Sequence, residues 1–138
     1  MYAVIDTNVL IYDTFSDSPF HKEARELLES FNRWYVPPLV LQEYIWFFKR
    51  KRKPLQSAKK MVEWYFSDPR FKGMEMDHRI VVQALQILGE HNRSLGHIND
   101  AIILSHAVSR KLPIATFDIK LRKLAIKVGV EVLPDELG

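Results

Sequence analysis

The sequence contains no cysteine. Disulfides, thiolate zinc sites and a cysteine nucleophile are thereby excluded, and an intracellular setting is permitted. No apolar run approaches the roughly 20 residues that a membrane-spanning helix needs. The opening Met1-Tyr2-Ala3-Val4-Ile5-Asp6 lacks a basic start and places an acid where the apolar stretch of a secretory leader would continue. A soluble, cytoplasmic chain without membrane contact is expected. The histidines, His21, His78, His91, His97 and His106, show no zinc-site spacing such as H-E-x-x-H, and read as surface or helix-packing residues. No internal repeat, low-complexity segment or interdomain linker interrupts the chain. Its 138 residues suit one domain, 1–138, around one core.

What is present begins with apolar residues, 47% of the chain, enough for a sizeable core. The net charge of +3 is modest, and its distribution says more than its size. Lys49-Arg50-Lys51-Arg52-Lys53 is an unbroken basic run, followed closely by Lys59 and Lys60. Two readings fit it. One is a solvated helix end, where cations favour the dipole; the other is a patch that contacts phosphates.

Strand and helix patterns alternate along the chain. Tyr2 to Ile5 reads as a buried strand, followed by a turn at Asp6-Thr7-Asn8 and a short helix from Val9 to Asp13. A helix follows Pro19 up to Asn32, then a strand at Trp34-Tyr35-Val36 closed by Pro37-Pro38. Leu39 to Arg52 reads as a strongly apolar helix with a basic end, and Pro54 opens another helix that Asp68-Pro69 stops. Met74-Glu75-Met76 is read as a third, weaker strand, with Asp77 capping the helix behind it. After a loop at 92–96 come a helix to about Lys111, a strand at Leu112 to Thr116, a helix from Asp118 to about Lys127 that Gly129 ends, and a last strand at Val130 to Leu133. This order predicts a parallel sheet covered by helices on both faces.

In such sheets ligands bind beyond the C-terminal strand ends. Asp6 directly follows the first strand, and Asp118 follows the strand at 112–116 with only Phe117 between. Each alone also fits an ordinary helix N-cap. Glu43 lies within Leu39-Val40-Leu41-Gln42-Glu43-Tyr44-Ile45-Trp46-Phe47-Phe48, with Leu39, Trp46 and Phe47 as its neighbours one turn away. A charge on that face needs a cation: a metal ion, a buried Arg or Lys, or a rim position beside the core. Asp100 is placed similarly, with Ile103, Leu104 and Ala107 on its face and Ser105, Ser109 and Arg110 mostly elsewhere. An acid in a first helical turn also favours the dipole. Taken together, four carboxylates repel one another unless hard cations neutralise them. Oxygen-only ligands point to Mg2+ or Mn2+ rather than zinc. Setting these four aside from the 17 acids leaves 13 against 20 Lys and Arg. An acidic metal pocket in a basic surface suits phosphodiester substrates.

These segments resemble the PIN-domain nucleases, over nearly the whole chain. Val4-Ile5-Asp6-Thr7-Asn8-Val9-Leu10 is similar to the family's first motif, Val40-Leu41-Gln42-Glu43 to its helical glutamate, Asn99-Asp100-Ala101-Ile102-Ile103 to its third motif and Ala115-Thr116-Phe117-Asp118 to its last. The resemblance implies an α/β/α sandwich with a central parallel sheet, commonly of five strands, and Mg2+- or Mn2+-dependent cleavage of RNA. Many compact members are toxins of VapBC toxin–antitoxin pairs, so it also implies an antitoxin partner and a homodimer. On this pattern Asp6 and Asp100 ligate the metal directly, and Asp118 and Glu43 complete its shell. Asn8 and Thr116 hydrogen-bond to ligands or metal waters, or serve only the turn and the strand end. The run at 49–53 positions RNA through phosphates. Some members carry a further acid where this chain has Ile119-Lys120-Leu121, which leaves fewer acids for a second metal. The rival readings are a housekeeping RNA-processing nuclease, a non-catalytic RNA- or partner-binding module, and a phosphatase with an aspartyl nucleophile. The last characteristically has a second Asp where this chain has Asn8, which supplies no carboxylic proton. Trp46, Phe47 and Phe48 read as core, with an exposed subset forming a dimer face or accepting an antitoxin helix as the alternative.

Overall fold

The computed structural model describes residues 1–137. In chain order its elements are β1 (Tyr2–Ile5), α1 (Thr7–Thr14), α2 (His21–Ser30), β2 (Arg33–Val36), α3 (Pro38–Arg50), α4 (Leu55–Ser67), β3 (Phe71–Gly73), α5 (His78–Glu90), α6 (Ile98–Arg110), β4 (Ile114–Ala115), α7 (Ile119–Val128) and β5 (Val132–Leu133). One 3-10 turn, Leu95–His97, leads into α6 where the sequence reads as loop. The strands form one parallel sheet in the order β3-β2-β1-β4-β5, flanked by helices in an α/β/α arrangement, as the alternation predicts. Among the described residues no helix is long and apolar enough to cross a membrane.

β1 lies at the centre, and Ala3, Val4 and Ile5 are fully buried. A strand covered on both faces has no solvent side, so it reads as an apolar run rather than an alternation. Val4 and Ile5 pair with Ile114 and Ala115 of β4, and the Asp6 N–H donates to the Ala115 carbonyl at 2.9 Å. The chain leaves β1 towards β2 and β3 on one side and later returns to β4 and β5 on the other. The C-terminal ends of β1 and β4 therefore flank the topological switch point, where open α/β sheets carry a crevice.

β4 and β5 are shorter than expected, and two further features differ from expectation. The third strand is Phe71–Gly73, not Met74–Met76. A turn starts it early: the Phe71 N–H donates to the Asp68 carbonyl at 3.0 Å, and the Arg70 carbonyl accepts from the Trp34 N–H at 2.8 Å, which aligns Phe71 with Trp34. Met74 is buried without strand pairing. The second feature is α6, which is buried from Ala101 through Ala107 rather than on one face. It packs against α5, α7, α3 and β1. Ser105, polar in the sequence, is enclosed because its hydroxyl serves the Ile80 carbonyl at 3.0 Å and the Gln83 Oε1 at 2.6 Å.

Candidate active site

Four elements bring Asp6, Glu43, Asp100 and Asp118 to the wall of one cavity of about 410 Å³ at the switch point, together with Thr7, Asn8 and Asn99. Asp6 follows β1 and caps α1, its Oδ1 accepting from the Thr7 N–H at 2.7 Å. Its Oδ2 accepts from the Thr116 hydroxyl at 2.7 Å and from the Asn8 amide at 3.3 Å. Asp118 caps α7 by accepting from the Leu121 N–H at 3.0 Å, and its own N–H donates to the Thr116 hydroxyl at 3.0 Å. Each of these two acids therefore caps a helix and lines the cavity at once. One oxygen of each carboxylate is spent on a cap, and the group still lines the cavity.

The two second-tier polar residues lie in the same network. Thr116 is fully buried at the end of β4, and its one hydroxyl links Asp6 to the backbone of Asp118. Asn8 donates to Asp6 and to the Thr116 hydroxyl at 3.3 Å, while its Oδ1 accepts from the Phe117 N–H at 3.1 Å. Sequence reasoning missed two other supports. Thr7 donates to the Glu43 Oε1 at 2.5 Å, and Asn99 donates to its Oε2 at 3.1 Å. Both residues sit inside the quoted motifs, but contacts spanning 36 and 56 residues leave no periodic trace. Glu43 is half-buried at the rim and is held by neutral donors. Asp100 is half-buried in the first turn of α6.

The electrostatics of the site follow from this placement. Burial pushes the Asp6 carboxyl up to about 7, with the charges of Asp100 and Glu43 adding to it against hydrogen bonds from Thr116 and Thr7. Burial likewise pushes Asp100 up to about 6, reinforced by Asp118 and Glu43 and opposed by His97 and Lys120. Among the described residues, none of the four acids forms an ion pair with a Lys, Arg or His. Of the explanations for Glu43, the buried cationic partner is excluded by its neutral donors. Lys120, in the stretch where a further acid was sought, is exposed.

The donor set fits a hard divalent cation: carboxylate oxygens, amides and hydroxyls, in mutual repulsion and without a protein cation. Among the described residues no group of three or more His, Asp or Glu side chains is arranged tightly enough to hold a metal ion unaided. Mg2+ tolerates this, because it takes one or two carboxylates and keeps several waters. The basic run divides. All five residues are exposed; Arg50 also lines the cavity, and Lys49, Lys51, Arg52 and Lys53 lie at and beyond the end of α3 outside it.

A model of the PIN domain matches residues 3–127. No curated protein matches the chain in sequence. Among solved structures, DNA-bound VapBC from Salmonella typhimurium is similar at 25% identity, over 96% of this chain and 97% of that one, with a TM-score of 0.67. VapC20 of Mycobacterium tuberculosis, described as a sarcin–ricin-loop-cleaving toxin, is similar at 16% identity over 94% and 96%, with a TM-score of 0.76. A toxin–antitoxin complex from Klebsiella pneumoniae is similar at 21% identity over 97% and 98%, with a TM-score of 0.69. With the family model matching most of its length and the sheet order and flanking helices in agreement, this chain belongs to the PIN domain family.

Proposed function

We propose that this chain is a one-domain, Mg2+- or Mn2+-dependent endoribonuclease, the toxin of a VapBC-type pair, acting in the cytoplasm. The observation that carries the reading is the convergence of four carboxylates from four elements on one cavity, with no Lys, Arg or His paired to any of them among the described residues. Membership of the PIN family supports a nuclease, and the similarity to toxin–antitoxin complexes supports an antitoxin partner. The apolar groove between α3 and α4, lined by Ile45, Leu55 and Val62, suits such a partner. The homodimer belongs to the same reading; Val82 and Leu85, exposed on α5, offer it an apolar face.

In this reading Asp6 and Asp100 hold the metal, and Asp118 and Glu43 complete its shell directly or through water. What Mg2+ or Mn2+ supplies when bound is Lewis acidity towards a phosphate oxygen and a water acidic enough to attack near neutral pH. Thr7 and Asn99 fix both oxygens of Glu43, whose carboxylate would orient an attacking water. Thr116 and Asn8 hold Asp6 in place for its ligand role. Arg50 and the neighbouring cations draw the phosphate chain to the cavity without reading its sequence.

The test is RNA cleavage by purified protein with Mn2+, with and without chelator, across pH. Cleavage is expected to be abolished by chelation and to rise from pH 5 to 8, because Asp100 and Asp6 bind metal only after losing protons near 6 and 7. The sign for stability is opposite. Carboxyls raised in the fold contribute stability below their unfolded values of about 4, and that contribution is lost as pH passes through 6 and 7. The metal-free protein should therefore lose Tm over that window. Mn2+ at about 100 times its Kd should return about 2.7 kcal/mol at pH 8 and almost nothing at pH 5. Cleavage indifferent to chelator would overturn the metal reading.

Thr116→Val removes one hydroxyl from both Asp6 and the Asp118 N–H at nearly constant volume. Calorimetric titration should show Mn2+ binding weakened about 10–100-fold, with Thr116→Ser close to wild type. Equal affinity for Thr116→Val would remove that hydroxyl from the site.

A further inference from the structure

Helix α3 sends one stripe of side chains along the wall of the cavity. Glu43 stands near the carboxylates, Trp46 one turn further on and Arg50 one turn beyond that. At about 1.5 Å rise per residue, Glu43 and Arg50 are roughly 10 Å apart along the axis, with the indole between them. Trp46 is 56% exposed on the wall of the open cavity. Its neighbour Phe47 is accounted for by packing, with the Phe15 ring at 5.4 Å and the Arg50 guanidinium and Lys51 ammonium at 5.5 Å. Trp46 has one such contact: the Lys49 ammonium lies 4.0 Å from its ring centroid. Among the described residues no aromatic ring stacks on it.

From this placement, and resting on the ribonuclease reading above, we infer that Trp46 is a stacking platform for the base beside the scissile phosphate. A large, rigid π-face held in water between acidic and basic groups has no role in the core. It matches an unstacked base whose flanking phosphates reach the carboxylate end on one side and Arg50 on the other. Lys49, seated on the ring by cation–π attraction, brings a positive charge to the same spot and favours an anionic chain there. Charge also separates this occupant from a protein helix. Arg50 continues the stripe and belongs to five consecutive cations, Lys49 to Lys53, whereas the apolar groove on α3 runs through Ile45 and excludes Trp46. Stacking tolerates any base, so Trp46 contributes affinity and the requirement for an unpaired nucleotide rather than sequence choice.

The test measures binding of a labelled single-stranded RNA by anisotropy in Mn2+, in an Asp100→Asn background that holds the substrate uncleaved. Trp46→Ala is expected to weaken binding about 10–100-fold, Trp46→Phe by only a few fold, and Trp64→Ala, at an exposed tryptophan away from the cavity, not at all. The slope of log affinity against log salt should stay unchanged in Trp46→Ala, because no phosphate contact is removed. An oligonucleotide made abasic at the position beside the cleavage point should bind Trp46→Ala and its parent equally. Two results overturn the proposal: unchanged affinity in Trp46→Ala, as expected if only a protein partner covers the ring, or an equal loss on the abasic strand. Either differs from failure of the ribonuclease reading itself, in which wild type with Mn2+ leaves RNA intact.

Discussion

Replacing Asp6 with asparagine should lower Mn2+-dependent RNA cleavage by about 10³-fold, a loss of roughly 4 kcal/mol in transition-state stabilisation, while leaving the metal-free protein at least as stable as wild type at pH 8. The two halves of this result have one cause. Asp6 is buried and its carboxyl is pushed up to about 7 by that burial and by two neighbouring carboxylates. Above that pH the folded metal-free chain carries a charge that its surroundings disfavour. Asparagine keeps an oxygen for the Thr7 cap at nearly constant volume. The cost of the charge disappears along with the ligand. Cleavage assays and thermal melts with and without Mn2+ check both halves: wild type should gain several degrees from the metal at pH 8, and Asp6→Asn almost none. A variant that melts far below the metal-free wild type would show that Asp6 is held for folding alone.

The second large effect lies away from the cavity. Asp13→Ala is expected to destabilise the fold by about 3 kcal/mol and to lower Tm by roughly 10 °C. Asp13 is buried in the last turn of α1. Its Oδ2 accepts from the Tyr65 hydroxyl at 2.7 Å, and its Oδ1 lies 3.3 Å from the Arg25 Nε. Arg25 is more than half exposed, so that ion pair contributes little. The buried hydrogen bond dominates. Tyr65 also reaches the Thr14 hydroxyl at 3.1 Å, and Thr14 meets the Tyr44 hydroxyl at 2.7 Å. Burial and the nearby Asp13 charge push the Tyr65 phenol well above its usual value, so it stays a donor at every physiological pH. This network ties α1, which Asp6 caps, to α4 and to α3, where Tyr44 adjoins Glu43. Urea unfolding measures the loss, and cleavage below the lowered Tm should stay within a few fold of wild type. Stability within about 0.5 kcal/mol of wild type would show that the brace does not exist.

The sequence exposes different parts of this architecture to different degrees. β1 was legible because a strand buried on both faces is written as an uninterrupted apolar run, and its end at Asp6 is unmistakable. Asp118 was legible for the same reason at β4, although only Ile114 and Ala115 pair as strand. β3 was misplaced because Met-Glu-Met alternates as a strand should, whereas the true edge strand, Phe-Lys-Gly, is set by a turn and a backbone bond to Arg70 that hydropathy does not record. α6 reads as one-faced because Ser105, Ser109 and Arg110 are polar, yet neighbours on several sides enclose Ser105 and also His106. The acids of the site could be read one by one. The donors that hold Glu43 could not, since Thr7 and Asn99 meet it only after the chain has folded. Asp13 gave no signal either, because its partner Tyr65 lies 52 residues away.

The four carboxylates are not equivalent in what they owe to the fold. Asp6 and Asp118 each close a helix as well as facing the cavity, whereas Glu43 and Asp100 cap nothing. Selection for folding would keep a capping side chain, aspartate or asparagine, at positions 6 and 118 even in a lineage without the proposed catalysis. The residues at 43 and 100 would have no such protection and would drift first. On the ribonuclease reading proposed above, a glutamate at 43 together with an aspartate at 100 is thus the sharper sign of a retained site among descendants of this chain, and a capping side chain after the first strand is a sign of the scaffold.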